Sequence, residues 1–516
     1  MGNYFLPQVL LLVLGLVAQS HVSADKADSE ASSANYRTQR KPNIVFILAD
    51  DLGFHDVGYH GSRIRTPTLD KLSENGVRLE NYYVQPICSP TRSQLMTGRY
   101  QIHNGIQHSL FWDDQPTGLP TDSPTLADKL REAGYSTHLV GKWHLGFYKQ
   151  EYMPNNRGFD TSYGFLGGHE SHYNHTRAYK SKGSFLDLRC DGEPVLDQNG
   201  RHSTYMYTQR AVDVISAHDK SKPLFLYMAY QAPHNPLEVP EAYEAQYQDI
   251  KDKNRRKYAG LVTMLDEGVA NLTRALKTMN LWNDTILIFS TDNGGQVRYG
   301  GNNYPLRGWK FSLWEGGVRG VGFVTGGDNI RLGRGTVNKQ LMHVSDWFPT
   351  LVGVAGGSLN GTKPLDGYDQ WRTLSVAAPT PRKWLLHNID PLFKKKGKEK
   401  QKYAGIFDTR VRAAIRVGEY KLLTGNPGNG TWIPPPESNT LQTEQKTENS
   451  KKNTWLFNIK NDPEERNDLS EKKPEVVKSI LRILAKINAT AVPPFFPKSD
   501  PLANPELHGG IWGPWE

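Results

Sequence analysis

Three uninterrupted apolar runs, each closed by polar residues, restrict this chain to a layered α/β architecture. Asn43-Ile44-Val45-Phe46-Ile47-Leu48-Ala49 ends in Asp50-Asp51; Pro223 to Tyr230 ends in Gln231-Ala232-Pro233-His234; Thr285 to Ser290 ends in Thr291-Asp292-Asn293-Gly294-Gly295. A strand with one wet face alternates apolar and polar residues, whereas a continuous run fits a strand buried on both faces, as in a parallel sheet covered by helices. Open sheets of that kind hold ligands beyond the carboxyl ends of their strands, which is where the three polar clusters fall. Between the last two runs Tyr258, Leu261, Val262, Leu265, Val269, Leu272 and Leu276 recur at three- and four-residue intervals, the stripe of an amphipathic helix. Asn271 points about 140° away from that stripe. α/β layers are therefore expected over about residues 42–370.

With 516 residues the chain exceeds what one compact core accommodates. After about residue 370 the pattern changes. Ala413 to Val417 and Tyr420 to Leu423, joined by Gly418-Glu419, predict a hairpin; Trp455-Leu456-Phe457 predicts a short strand; Val476, Val477, Ile480, Ile483, Leu484 and Ile487 predict a helix over 475–489. The reading is a catalytic domain at 42–370 and a smaller α+β domain at 371–516, with the lysine-bearing stretches 394–402 and 439–453 as surface loops.

The first residues bear on compartment. Val9 to Ala18 is apolar throughout but too short to span a bilayer of about 30 Å, and Val22-Ser23-Ala24 suits cleavage, so residues 1–24 are expected to be a signal peptide. Residues 25–41 are polar and expected to form a disordered leader. No later stretch has the length and apolarity of a membrane span, and six Asn-x-Ser/Thr sequons, at Asn174, Asn271, Asn283, Asn360, Asn429 and Asn488, fit an N-glycosylated protein of the secretory pathway, lysosomal or secreted. Two cysteines, Cys88 and Cys190, make no disulfide framework, although parity alone allows one bridge. The net charge of +9 suits anionic substrates. No recognition motif or basic stripe with interleaved aromatics speaks for nucleic acid.

Asp50, Asp51, Asp292 and Asn293 offer only oxygen ligands, a set that selects a hard divalent cation over zinc. An isolated Asp pair is commonly a cap or turn. Acidic residues after two separate buried strands call for a cation between them, because neighbouring carboxylates otherwise repel.

Residues 88–99, Cys-Ser-Pro-Thr-Arg-Ser-Gln-Leu-Met-Thr-Gly-Arg, resemble the signature of the type I sulfatases, with Cys88, Pro90, Arg92, Leu95, Thr97, Gly98 and Arg99 in the expected places and Thr91 where Ser is usual. Gly141-Lys142-Trp143-His144-Leu145-Gly146 matches a second family segment unchanged, and the segments carrying His234 and Lys310 follow in order. The resemblance covers Asn43 to Trp515 and is closest to the arylsulfatase B (N-acetylgalactosamine-4-sulfatase) group, with arylsulfatases I and J nearby. It implies an alkaline-phosphatase-like fold with a large mixed sheet between helices. It also implies oxidation of Cys88 to formylglycine by a formylglycine-generating enzyme, and one Ca2+, with Mg2+ as the other hard cation, held by Asp50, Asp51, the residue at 88, Asp292 and Asn293. Arg92, Lys142 and Lys310 are then expected to offset sulfate charge, His234 to protonate the leaving oxygen and His144 to act as base in releasing sulfate.

The substrate implied is a sulfated sugar such as N-acetylgalactosamine 4-sulfate. Vertebrate arylsulfatase B carries disulfide-forming cysteines absent here, in loops where a substrate would be selected, so small sulfated metabolites such as glucosinolates or aryl sulfates form the alternative. Superfamily phosphodiesterases typically use Thr or Ser and often two zinc ions, which this donor set disfavours. An inactive secreted polyanion-binding protein needs only positive charge, not this arrangement of Lys and His.

Overall fold

A computed structural model describes residues 41–395, 402–438 and 452–516. The expected signal peptide, the leader up to residue 40, and most of the two expected surface loops (396–401 and 439–451) lie outside the described residues.

Ten strands build the main sheet: β1 Asn43–Asp50, β2 Val77–Leu79, β3 Ser136–Gly141, β4 Thr161–Gly164, β5 Arg189–Cys190, β6 Glu193–Pro194, β7 Leu224–Pro233, β8 Thr285–Thr291, β9 Gly322–Gly326 and β10 Thr336–Asn338, in the order β10-β2-β9-β8-β1-β7-β3-β4-β5-β6. The five central strands β8, β1, β7, β3 and β4 run parallel. β9 returns antiparallel beside β8, which makes the sheet mixed. The continuous apolar runs form β1, β7 and β8, and every residue of these strands is buried.

Burial on both faces is visible in β1 itself. Ile44, Phe46 and Leu48 enter one core, while Val45, Ile47 and Ala49 enter the other. The second core is covered by α2 (Ser203–Ser216) and α3 (Lys253–Thr278), the long amphipathic helix. The first includes Leu95 and Met96 of α1 (Cys88–Thr97), a helix buried along its whole length. Fully burying one such aliphatic or aromatic side chain stabilises by about 1.5–3 kcal/mol, so these two layers set the positions of the strand ends.

A separate antiparallel sheet follows, of β11 Trp384–Asp390, β12 Arg412–Val417, β13 Tyr420–Thr424 and β14 Thr454–Asn458 in sequential order, accompanied by α4 (Pro474–Asn488). The β12–β13 hairpin and α4 agree with their sequence pattern; β11 and the short strands β5 and β6 have no such pattern. The last segment runs along the rim of the main layers: the amides of Val492, Phe495 and Asp500 donate to the carbonyls of Ile102, Gly105 and Asp114, and Trp512 is buried. All six sequon asparagines are exposed. Among the described residues no helix is long and apolar enough to cross a membrane.

One ionic joint ties β13 to the main layers. The Lys421 ammonium lies 2.8 Å from Glu315 and 3.0 Å from Glu465, with all three side chains fully buried. Burial and then the Glu315 charge push the Glu465 carboxyl up to about 7, while Lys421 outweighs burial and draws Glu315 below its usual range. Lys421→Met removes the ammonium that Glu315 and Glu465 share, leaving the more distant Arg319 beside Glu315, and is expected to cost about 3–5 kcal/mol in denaturant unfolding; a loss under about 1 kcal/mol contradicts this view of the joint. Between pH 4.5 and about 7 the folded state retains a Glu465 proton that the unfolded chain has released, so this group makes stability fall as pH rises across that window. The drop in melting temperature from about pH 5 to about pH 7.5 is accordingly expected to be smaller in Glu465→Gln, and an equal drop counts against the assignment.

Candidate functional site

The residues expected to act together do meet, at the carboxyl ends of the parallel strands. Asp50 closes β1 and Asp51 follows it in the left-handed region (φ 64°). Asp292 and Asn293 follow β8, His234 follows β7, and Lys142 to His144 follow β3. Register aligns them: the Asp292 amide donates to Ala49 O at 3.0 Å, and the Lys142 amide to Ala229 O at 2.9 Å. The turn out of β3 depends on Gly141 (φ 105°), where a Cβ would lie 2.0 Å from Ala229 O. His144 is itself left-handed at φ 56°.

Cys88 begins α1, so its side chain sits at the partially positive end of that helix. Its Sγ lies 3.5 Å from Asp50 Oδ1. The Thr91 hydroxyl accepts the Gln85 amide at 2.8 Å, a task any hydroxyl can perform, which accounts for Thr in place of Ser. Arg92 forks onto Asp292 Oδ2 (2.8 and 3.2 Å) and reaches Asp50 at 3.5 Å. Lys142 Nζ contacts Asp50 Oδ2, and Lys310 Nζ lies 2.7 Å from Asp51 Oδ1. Three carboxylates are thus met by three cations, all buried.

This balance sets the electrostatics. Burial alone would raise Asp50, but Lys142, His234, Arg92 and Lys310 together hold it well below the usual carboxylate range. Burial and the charge of Asp50 push Asp292 up to about 7. Burial, followed by Asp50, drives the Cys88 thiol far up, opposite to the surroundings that activate a cysteine nucleophile. Burial works against the Lys310 ammonium, yet Asp51 and its neighbours keep it charged. Burial and then Lys310 lower His234 to about 4, and burial with Lys142 and Arg92 keeps His144 neutral.

Hydrogen bonds fix both imidazoles. His144 Nε2 faces the Phe111 carbonyl at 3.2 Å, so this nitrogen carries the proton and Nδ1, buried without a partner, keeps its lone pair. His234 Nδ1 faces the Asn235 carbonyl and its Nε2 lies 3.7 Å from Asp51 Oδ2.

A cation fits here. Asp50, Asp51, Cys88 and His234 each offer a ligand atom, all within 4.8 Å of one another. Asp51 Oδ2 and Asn293 Oδ1 are buried with no hydrogen-bond partner, and such orphaned oxygens are uncommon without an ion or water. Two further contacts adjoin the sequence-based ligand set. Asp292 turns Oδ2 to Arg92 and accepts the Asp51 amide at 3.2 Å through Oδ1, while His234, read as a proton donor, lies inside the cluster. Oxygen donors still dominate, as a hard cation requires.

Sequence reasoning missed the supports. Tyr258, read only as part of an apolar stripe, donates from its hydroxyl toward Asp51 O (2.9 Å) and Asp56 Oδ2 (2.8 Å), pinning the left-handed turn; buried Arg255 in turn pairs with Asp56. His169, five residues past β4, stacks on His234 with ring centroids 5.7 Å apart. Asp56 and His169 belong to no motif singled out above, and their contacts are tertiary. Cys88 and Cys190 are unpaired, so the bridge that parity allowed does not exist.

The chain is similar in sequence and fold to several known proteins. The sulfatase family model matches residues 42–358. Arylsulfatase J of Mus musculus is 51% identical over 92% of this chain and 80% of its own length. N-acetylgalactosamine-6-sulfatase of Homo sapiens is 27% identical over 86% of this chain and 85% of its own length. The crystal structure of Ps i-CgsB in complex with k-i-k-neocarrahexaose superposes with a TM-score of 0.73 at 31% identity, covering 91% of this chain and 98% of that one.

A ligand held at about 100 times its Kd stabilises a fold by about 2.7 kcal/mol. Ca2+ added at that level to chelator-treated protein is expected to raise unfolding free energy by about this amount, and Asp51→Ala to abolish the gain. An equal gain in the variant removes Asp51 from the ion's ligands.

Proposed function

Because the chain belongs to the sulfatase family and is an arylsulfatase-type sulfuric ester hydrolase, we propose that its nucleophile is the hydrated formylglycine made from Cys88, working beside a Ca2+ held by Asp50, Asp51, the residue at 88, Asp292 and Asn293. The observation that carries this is the placement of Cys88 at a helix start, 3.5 Å from Asp50 and within the cation cluster, with its thiol held protonated. An unmodified thiol in those surroundings is a poor nucleophile; a geminal diol is suited to them. When bound, the cation polarises sulfate oxygens and favours ionisation of the diol.

The chain's own residues then divide the work. One diol oxygen bonds to sulfur as the bond from sulfur to the ester oxygen breaks, while Lys142, Lys310 and Arg92 offset charge on the remaining oxygens. The Lys310–His234 pair, both on the Asp51 side, passes a proton to the departing oxygen. His144 Nδ1, bare and buried, takes the proton of the second hydroxyl; the carbonyl reforms, sulfate leaves, and water restores the diol.

The substrate class we favour is a sulfated sugar of the N-acetylgalactosamine 4-sulfate kind. Support comes from the relative N-acetylgalactosamine-6-sulfatase, which shares the sugar though not the sulfated position, and from the hexaose bound by a 31% identical neighbour. The expected compartment is lysosomal or extracellular, with N-glycans on the exposed sequons and maturation by a formylglycine-generating enzyme. A panel of 4-sulfated galactosaminoglycan fragments, an aryl sulfate and a glucosinolate separates these substrates, and turnover confined to the glucosinolate displaces the sugar.

Cys88→Ser is expected to abolish multiple turnover, since a serine sulfate ester has no second hydroxyl through which to expel sulfate. Unchanged steady-state hydrolysis in that variant refutes the assignment. In the wild-type peptide containing residue 88, conversion of thiol to aldehyde is expected as a mass loss of about 18 Da.

A further inference from the structure

We infer that Phe311 and His169 form a subsite for the leaving group, an aromatic floor and an imidazole that accept the ring-bearing alcohol or phenol half of a sulfate ester. The inference rests on the sulfatase reading above and adds where the non-sulfate part of the substrate sits.

Exposure separates these two residues from the rest of the site. Every side chain assigned to the cation or to sulfate is buried, whereas Phe311 is 49% exposed and His169 is also exposed. Each is one contact away from the Lys310–His234 pair. Phe311 follows Lys310, whose Nζ lies 5.6 Å from the Phe311 ring centroid, and the His169 ring stacks on His234 at 5.7 Å with an interplanar angle of 27°. The pair delivers a proton to the departing oxygen, so groups on its solvent side meet the departing half and not the sulfate.

The backbone of Phe311 points the same way. At φ 71° it occupies the left-handed region, which a bulky residue rarely adopts and glycine adopts freely. Its amide donates to Pro86 O at 2.7 Å, and its carbonyl accepts from Arg412 of the second sheet, so the conformation is imposed from both sides. The fold gains little from the ring, which is left half in water. Strain retained at a residue beside the reacting groups is characteristic of function. A flat apolar face of this kind takes the face of a phenyl or sugar ring, and the neighbouring imidazole can donate to or accept from a ring hydroxyl.

The test uses the full chain and its Phe311→Gly, Phe311→Trp and His169→Ala variants. It measures KM and kcat for 4-nitrophenyl sulfate, inhibition by inorganic sulfate, and thermal unfolding. Phe311→Gly is expected to raise KM about fivefold to tenfold, leave inhibition by inorganic sulfate unchanged, and melt at the wild-type temperature or above it because the strain is relieved. Phe311→Trp is expected to keep KM within about twofold of wild type, and His169→Ala to raise KM with sulfate inhibition again unchanged. A wild type inactive on 4-nitrophenyl sulfate, the 4-sulfated galactosaminoglycan fragments and the glucosinolate alike sinks the proposed function itself. With an active wild type, an unchanged KM in Phe311→Gly or His169→Ala, weakened sulfate inhibition in step with KM, or a lowered melting temperature in Phe311→Gly overturns the subsite and leaves that reading standing.

Discussion

Mutual repulsion among Asp50, Asp51 and Asp292 is the constraint around which the molecule is arranged. Two like charges 4 Å apart interact by about 4 kcal/mol at an effective dielectric constant near 20, and these three carboxylates are buried. Arg92, Lys142 and Lys310 answer them from three different segments: a buried helix, the turn after a parallel strand, and a loop braced by the second sheet. None of those cations is held by its own segment alone. The cluster is therefore both the candidate catalytic centre and a tie among the layers, and losing one member unbalances a buried charge count as well as a contact.

Much of this arrangement is legible in the amino-acid sequence. Largely continuous apolar runs fit strands covered on both faces, and the polar residues that close them fall at the carboxyl ends of such strands, where Asp50, His234 and Asp292 lie. The α3 stripe and the β12–β13 hairpin were legible for the same reason, since a period and a turn are local properties. The outer strands β5 and β6 were not, being two residues each with no period, and neither was the central β3, which mixes Ser, Thr and His with its apolar residues. The signature around Cys88 identified its neighbours in sequence but not their duties, such as the hydroxyl of Thr91 closing on Gln85.

What sequence could not reveal is consistently tertiary. Tyr258 keeps its place in an apolar stripe while its hydroxyl pins Asp51; nothing in a 3.6-residue period distinguishes that tyrosine from a phenylalanine. Glu315, Lys421 and Glu465 are far apart in the chain and meet only once the second sheet docks. His169 acquires meaning solely from the ring opposite it. Support of this kind orients the groups that do chemistry, and its members belong to no motif.

The burial of residue 88, 1% exposed at the base of the site, also dictates a timetable for biogenesis. Another protein's catalytic groups cannot reach a side chain so enclosed, so the conversion proposed for that cysteine requires a nascent or still-extended polypeptide. The segment that closes along residues 102–114 lies far downstream of Cys88 in the chain and so leaves the ribosome after it, which under that proposal leaves an interval between exposure of the thiol and completion of the shell around it. Anything that accelerates collapse of the N-terminal layers, including a stabilising substitution in their core, shortens that interval and trades yield of competent enzyme for yield of folded protein.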